Sequence, residues 1–87
     1  MAGRWRRTYA MGNKAWYRHA GLPHIRVVVA RNWSSRSYLI VVESYGQEIG
    51  RHTYQPERFL DLREIPTSVI SQHARRIINR YRELNRS

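Results

Sequence analysis

The chain has no cysteine, one lysine and no acidic residue before Glu43. Lack of cysteine excludes disulfides and thiolate-ligated zinc, and fits an intracellular setting in cytoplasm or nucleoid. Apolar runs are short: Val27 to Ala30 and Leu39 to Val42 fall well below the roughly 20 residues that a bilayer-spanning helix needs. The first thirty residues carry no apolar signal-peptide core. Scarcity of lysine has two readings, arginine-favouring codons or the two-pronged grip of guanidinium on phosphate and guanine edges.

Signatures of catalysis are equally sparse. His19, His24, His52 and His73 never show the i, i+4 spacing of a helical metal pair, and there is no glycine-rich phosphate loop or nucleophile elbow. Glu57, Asp61 and Glu64 would share one face of a helix, the arrangement a small metal-dependent nuclease would use. Pairing of that face with Arg58 and Arg63 is the simpler account. No catalytic residue, metal site or cofactor is expected.

What is present is positive charge, unevenly placed. Residues 1–36 hold eight basic side chains and no acid, residues 37–66 three basic and five acidic, and residues 67–87 five arginines and one glutamate, for a net +10. That asymmetry is the footprint of a polyanion-binding chain, most often a nucleic-acid binder.

Residues 1–23 show no clean period. Gly3, Gly12, Asn13, Gly21 and Pro23 punctuate them, and Trp5, Tyr9, Trp16 and Tyr17 lie between the charges. They read as a basic arm or irregular lead-in, with at most a helical turn around Lys14 to His19. Residues 24–87 read as a single α+β domain. His24 to Arg31 is β-branched, with Ile25, Val27 and Val29 on one face. Asn32 to Arg36 suits a hairpin loop.

Ser37 to Tyr45 reads as the central strand, apolar on both faces. Gly46 supplies a tight turn, and Gln47 to Tyr54 an edge strand. Pro56 to Ile65 is either a short helix or a bent loop packing Phe59, Leu60 and Leu62. After Pro66, capped by Thr67 or Ser68, a helix runs from Ser68 to Asn85. Its apolar seam is Ile70, Ala74, Ile77, Tyr81 and Leu84, flanked by Val69 and Ile78. Arg75, Asn79, Arg82 and Arg86 form the opposite stripe.

The predicted fold is therefore a three-stranded antiparallel sheet packed by one C-terminal amphipathic helix. Its core would contain Ile25, Val27, Val29, Ile40, Val42, Ile49, Ile70, Ile77, Ile78, Tyr81 and Leu84. In element order this plan resembles plant AP2 domains and the arm-binding domains of tyrosine integrases, which insert a sheet into the DNA major groove. The resemblance is to the order of elements and carries no site residue across.

The expected function is non-enzymatic nucleic-acid binding, to DNA in slight preference to RNA. Its contact residues would be Arg4, Trp5, Arg6, Arg7, Lys14 and Arg18 of the arm, Arg26, Arg31, Trp33 and Arg36 of the first hairpin, and Arg75, Arg82 and Arg86 of the helix. Aromatic rings stack on bases while neighbouring cations hold phosphates. Trp16 and Tyr17 read instead as aromatics closing over the sheet. Trp33 suits either a groove contact or a fold back onto a strand.

The competing expectation is a small viral or mobile-element protein that docks on, or inhibits, a nucleic-acid-handling complex, since arginine and aromatics also favour protein interfaces. The helix seam could equally support a homodimer. No membrane partner is expected, because the helix's apolar face is needed to cover the sheet.

Overall fold

A computed structural model describes residues 5–58 and 61–85. Five strands, β1 (Trp5–Met11), β2 (Lys14–His19), β3 (Leu22–Asn32), β4 (Ser37–Ser44) and β5 (Gln47–Tyr54), precede one helix, α1 (Thr67–Leu84). The strands pair antiparallel in sequence order, β1-β2-β3-β4-β5. The expected three-stranded sheet is therefore wrong by two strands. The stretch read as an irregular arm forms the β1–β2 hairpin, and the helical turn expected over Lys14 to His19 is strand β2. With five strands, the element-order likeness to three-stranded major-groove domains no longer holds.

Bulges explain why β1 escaped a periodicity reading. Arg7 pairs with Tyr17 and Tyr9 with Trp16, so Thr8 is an extra residue in β1. An unpaired residue resets the alternation of side chains. Trp5 and Arg7 consequently share the helix-facing side, whereas Tyr9, also odd-numbered, points to the other. β5 carries a second bulge at Ile49, because Val42 pairs with Gly50 but Glu43 with Glu48.

The remaining strands fall close to the expected limits for plain reasons. β3 and β4 are dense in valine and isoleucine, whose branched side chains suit a pleated surface. The β4–β5 hairpin turns on Tyr45 (φ 52°) and Gly46 (φ 81°). Two positive φ values in a two-residue loop make a type I′ turn, whose twist matches the flanking strands. Glycine adopts this region freely. Tyr45 does not, and its ring stacks on His24 at 4.9 Å while its N–H donates to the His24 carbonyl at 3.0 Å.

The sheet curls so that α1 contacts β5 and β4 and also reaches β1. The core lies in this concavity: Trp5, Ala15, Tyr17, Ile25, Val27, Val29, Tyr38, Ile40 and Val42 from the sheet, and Ile70, Ala74, Ile77 and Ile78 from the helix. Leu62 and Ile65 close one end from the connection. Burying an aliphatic or aromatic side chain of this size contributes about 1.5–3 kcal/mol. Three residues assigned to the core by periodicity are not buried in it, Ile49 at the β5 bulge only packing against it. Tyr81 is 40% and Leu84 69% exposed, both bordering an open cleft beside Ile49 and Gly50 of β5.

Helix and strand approach closely at Gly50, where a Cβ would lie 2.6 Å from Ile77 Cγ2. Beside it, His52 of β5 and His73 of α1 bring their Nδ1 atoms to 3.2 Å. The described residues between β5 and α1 form a loop containing a 3-10 turn, Leu62–Glu64, capped by the Asp61 carboxylate accepting from Arg63 N–H at 2.9 Å. This favours the bent-loop reading of that segment. Leu62 is buried, and Phe59 and Leu60 lie outside the described residues. No side chain caps α1. Pro66 precedes it, its carbonyl accepting from Val69 and Ile70, and Thr67 is already helical. Among the described residues no helix is long and apolar enough to cross a membrane.

Candidate nucleic-acid interface

Among the described residues a single helix covers one face of the sheet, and the other face is open. Pairing register assigns its residues: Arg6, Tyr9 and Met11 from β1; Lys14, Trp16 and Arg18 from β2; His24, Arg26, Val28 and Ala30 from β3; Leu39, Val41 and Glu43 from β4; and Glu48, Arg51 and Thr53 from β5. Val28, Ala30, Leu39 and Val41 make a half-buried apolar centre.

Charge is graded across this face. On the β4–β5 side each carboxylate holds an arginine. Arg26 Nε donates to Glu43 Oε1 at 2.8 Å, and Arg51 grips Glu48 through Nε at 2.8 Å and Nη2 at 2.7 Å. Arg51 lowers the Glu48 carboxyl below its usual range through these hydrogen bonds, and the arginine is raised in turn. On the β1–β2 side Arg6, Lys14 and Arg18 face no carboxylate partner among the described residues. The acid-free start of the sequence has thus become one half of a surface.

Two aromatic rings lie within that basic half. Tyr9, 54% exposed, and Trp16 sit with ring centroids 5.3 Å apart and planes tilted by 45°. The Tyr9 hydroxyl donates to Met11 Sδ at 3.2 Å. Thr8, Tyr9, Trp16, Arg18 and Arg26 line a shallow depression in the same region, and Arg18 Nη1 donates to the Pro23 carbonyl at 3.3 Å on its rim.

The residues expected to bind nucleic acid are dispersed by the fold. Arg6, Lys14, Arg18 and Arg26 come together on the open face. Trp5 is buried on the helix side, its ring edge-on to His19 at 4.9 Å. Arg7 also points to that side, donating to the Arg63 carbonyl at 3.4 Å. Arg31, Trp33 and Arg36 cluster at the β3–β4 turn. There Trp33 leans back, its Nε1–H donating to Asn13 Oδ1 at 3.1 Å with the Arg31 guanidinium 3.8 Å above its ring. It remains 58% exposed. Arg75 and Arg82 lie on α1, across the molecule, and Arg4 and Arg86 fall outside the described residues.

No family model, curated protein or solved structure matches this chain. The surface must therefore be read on its own chemistry. Trp16, assigned to the core from the sequence, is half-buried on the open face, and Tyr9 was not singled out as a contact residue. A signal was present: Ala15 and Tyr17 alternate with Trp16 and Arg18, which places Trp16 with the charges once β2 is recognised as a strand.

Glu57, Asp61 and Glu64 do not share a helical face, since Asp61 is engaged as a turn cap. Among the described residues no three histidines or carboxylates converge as a metal-binding group.

Proposed function

We propose that the chain is a non-enzymatic nucleic-acid-binding protein that receives an unpaired strand across the open face of its sheet. The observation that carries this reading is the Tyr9–Trp16 pair on the open sheet face, among Arg6, Lys14 and Arg18, which have no acidic partner among the described residues. A base stacked on an aromatic side chain contributes about 1–3 kcal/mol whatever its identity, because every base has a π-face. Cations spaced along the strand direction hold the phosphates, positioning the chain without reading its sequence.

Size supports an unpaired strand over a duplex. Four inter-strand spacings of about 4.8 Å make the sheet roughly 19 Å wide, whereas the major groove is about 12 Å across. A hairpin fits that groove and the whole face does not. The apolar centre of Val28, Ala30, Leu39 and Val41 likewise suits exposed bases better than a phosphate-lined duplex surface.

Binding of labelled single-stranded DNA, single-stranded RNA and duplex DNA across a salt series tests the proposal. Three phosphate contacts on a single strand give a slope of log affinity against log salt of about −2. Single strands of either sugar should bind more tightly than duplex. Absence of measurable affinity for all three at low salt would overturn the reading and favour a protein partner for the basic face.

A further inference from the structure

The helix side of the molecule holds a second basic site. A cleft of about 370 Å³ opens between α1 and the β2–β3 turn, at the low end of the range for small-ligand pockets. Trp5 and Leu22 line it from the sheet, and Arg75, Ile78, Asn79 and Arg82 from the helix, with Ser71 and His19 also in its lining. It lies on the face of the sheet opposite Tyr9 and Trp16, so it is a separate site from the proposed strand surface.

Several features distinguish these arginines from a merely solvated helix stripe. Residues 75, 79 and 82 follow one another at helical spacing, so both guanidiniums flank the Asn79 amide. The two arginines start about 10.5 Å apart along the axis, and their long side chains can bend toward a common anion. Neither forms a salt bridge among the described residues, and no carboxylate lines the cleft. Unlike Arg26 and Arg51, each held by a glutamate, both guanidiniums keep their charge for a ligand, and here they do so beside a cleft. The sheet contributes Trp5 and Leu22 to the cleft, apolar surface that suits a flat ring.

His19 contributes a defined polarity. Its Nδ1 accepts from Gly21 N–H at 2.9 Å, so a neutral imidazole carries its proton on Nε2.

We infer that this cleft binds a phosphomonoester carrying a flat ring, that is, a nucleotide with its 5′-phosphate held by Arg75 and Arg82. Asn79 and Ser71 offer hydrogen bonds, and the apolar surface of Trp5, Leu22 and Ile78 receives the ring. Two sources share this chemistry, a free mononucleotide and the 5′-phosphorylated end of a strand.

The test is NMR titration of the ¹⁵N-labelled protein with adenosine 5′-monophosphate and, in parallel, adenosine. The monophosphate should shift the Trp5 indole and the Ser71 and Asn79 signals, leave the Trp16 indole in place, and bind about tenfold or more tighter than adenosine. Arg75→Gln/Arg82→Gln, altering exposed side chains only, should lower that affinity about tenfold or more and leave binding of a 5′-hydroxyl oligonucleotide to the sheet face unchanged. Equal shifts from adenosine, shifts confined to Trp16, or full affinity in the double variant would overturn the inference. A further pair of titrations, 5′-phosphorylated against 5′-hydroxyl single strands, separates the sources. A gain from the terminal phosphate that Arg75→Gln/Arg82→Gln abolishes assigns the site to strand ends. Binding of the monophosphate without that gain assigns it to the free nucleotide.

Discussion

Gly50→Ala tests the way the helix is seated. The added Cβ would lie 2.6 Å from Ile77 Cγ2, 3.6 Å from its Cβ and 3.7 Å from its Cγ1. The clashing methyl cannot swing away, because a β-branched side chain on a helix is held in one strongly preferred rotamer. Helix and strand must therefore separate, and overpacking of this kind costs about 1–3 kcal/mol. An opposing effect is the lower entropy of the unfolded chain when glycine becomes alanine, about 0.4–1 kcal/mol in favour of folding. With the 2.6 Å approach placing the clash at about 2–3 kcal/mol, a net loss of about 1–2 kcal/mol remains even against the full entropic gain. For a domain of this size that lowers Tm by about 4–16 °C. Thermal and urea unfolding followed by circular dichroism measures it.

Ile77→Ala removes the clashing methyl and by itself costs about 2–5 kcal/mol. The double variant should then be less destabilised than the sum of the two by about 1 kcal/mol or more. A neutral or stabilised Gly50→Ala, or strict additivity with Ile77→Ala, would refute the close approach of α1 to β5.

Other expectations concern charge, aromatics and burial. Arg6→Glu/Arg18→Glu should flatten the salt dependence of single-strand binding by about 1.4 log units per log unit of salt, the share of two phosphate contacts. An unchanged slope in the binding assay would remove these arginines from the interface.

His73 is held below the usual imidazole range, first by burial and then by the neighbouring His52 and Arg76, with the Tyr54 ring 5.6 Å away. A depressed folded pKa means that the unfolded chain binds the proton more readily. Stability should be level above about pH 7.5 and fall as pH drops through the ordinary histidine range near 6.5 and below. Urea midpoints measured against pH should show a shallower acid decline for His73→Gln, and identical declines would contradict the assignment.

Tyr17→Phe removes a buried hydroxyl for which the structure shows no hydrogen-bond partner, so urea unfolding should give wild-type stability or a gain of about 1 kcal/mol. The phenol is raised by burial and only partly drawn back by the Arg7 guanidinium. A loss beyond about 1 kcal/mol would show that Arg7 bonds it.

The second half of the fold was legible in the sequence and the first half was not, for identifiable reasons. β3 and β4 announce themselves through valine and isoleucine, and α1 through a seam whose buried part, Ile70, Ala74 and Ile77, has the helical spacing. β1 is hidden because its bulge at Thr8 places Trp5 and Tyr9 on opposite faces, and because it exposes every residue after Trp5. β2 buries only Ala15 and Tyr17, too short an alternation to stand out among glycines and arginines. Tyr81 and Leu84 continue the seam in sequence but border an open cleft beside β5 instead of closing onto it. Local periodicity cannot report how closely a neighbouring element packs.

The candidate interface was legible as a composition and not as a place. Arginine and aromatic residues before residue 37 marked the basic character. Deciding that Trp16 faces out while Trp5 faces in required the register of β1 on β2. The arginines of the helix stripe were visible as a row, yet the cleft they border exists only because the missed hairpin brings Trp5, and the β2–β3 turn brings Leu22, alongside them.

The most direct test of a strand-binding sheet face is the affinity of Trp16→Ala and Tyr9→Ala for a single-stranded oligonucleotide at low salt, beside the unaltered protein. Each loss of a stacking ring should weaken binding by about 1–3 kcal/mol, roughly 5- to 150-fold, with folding retained because both rings lie outside the core. Retention of full affinity in both variants would contradict the account. The open face would then be a surface for some other partner.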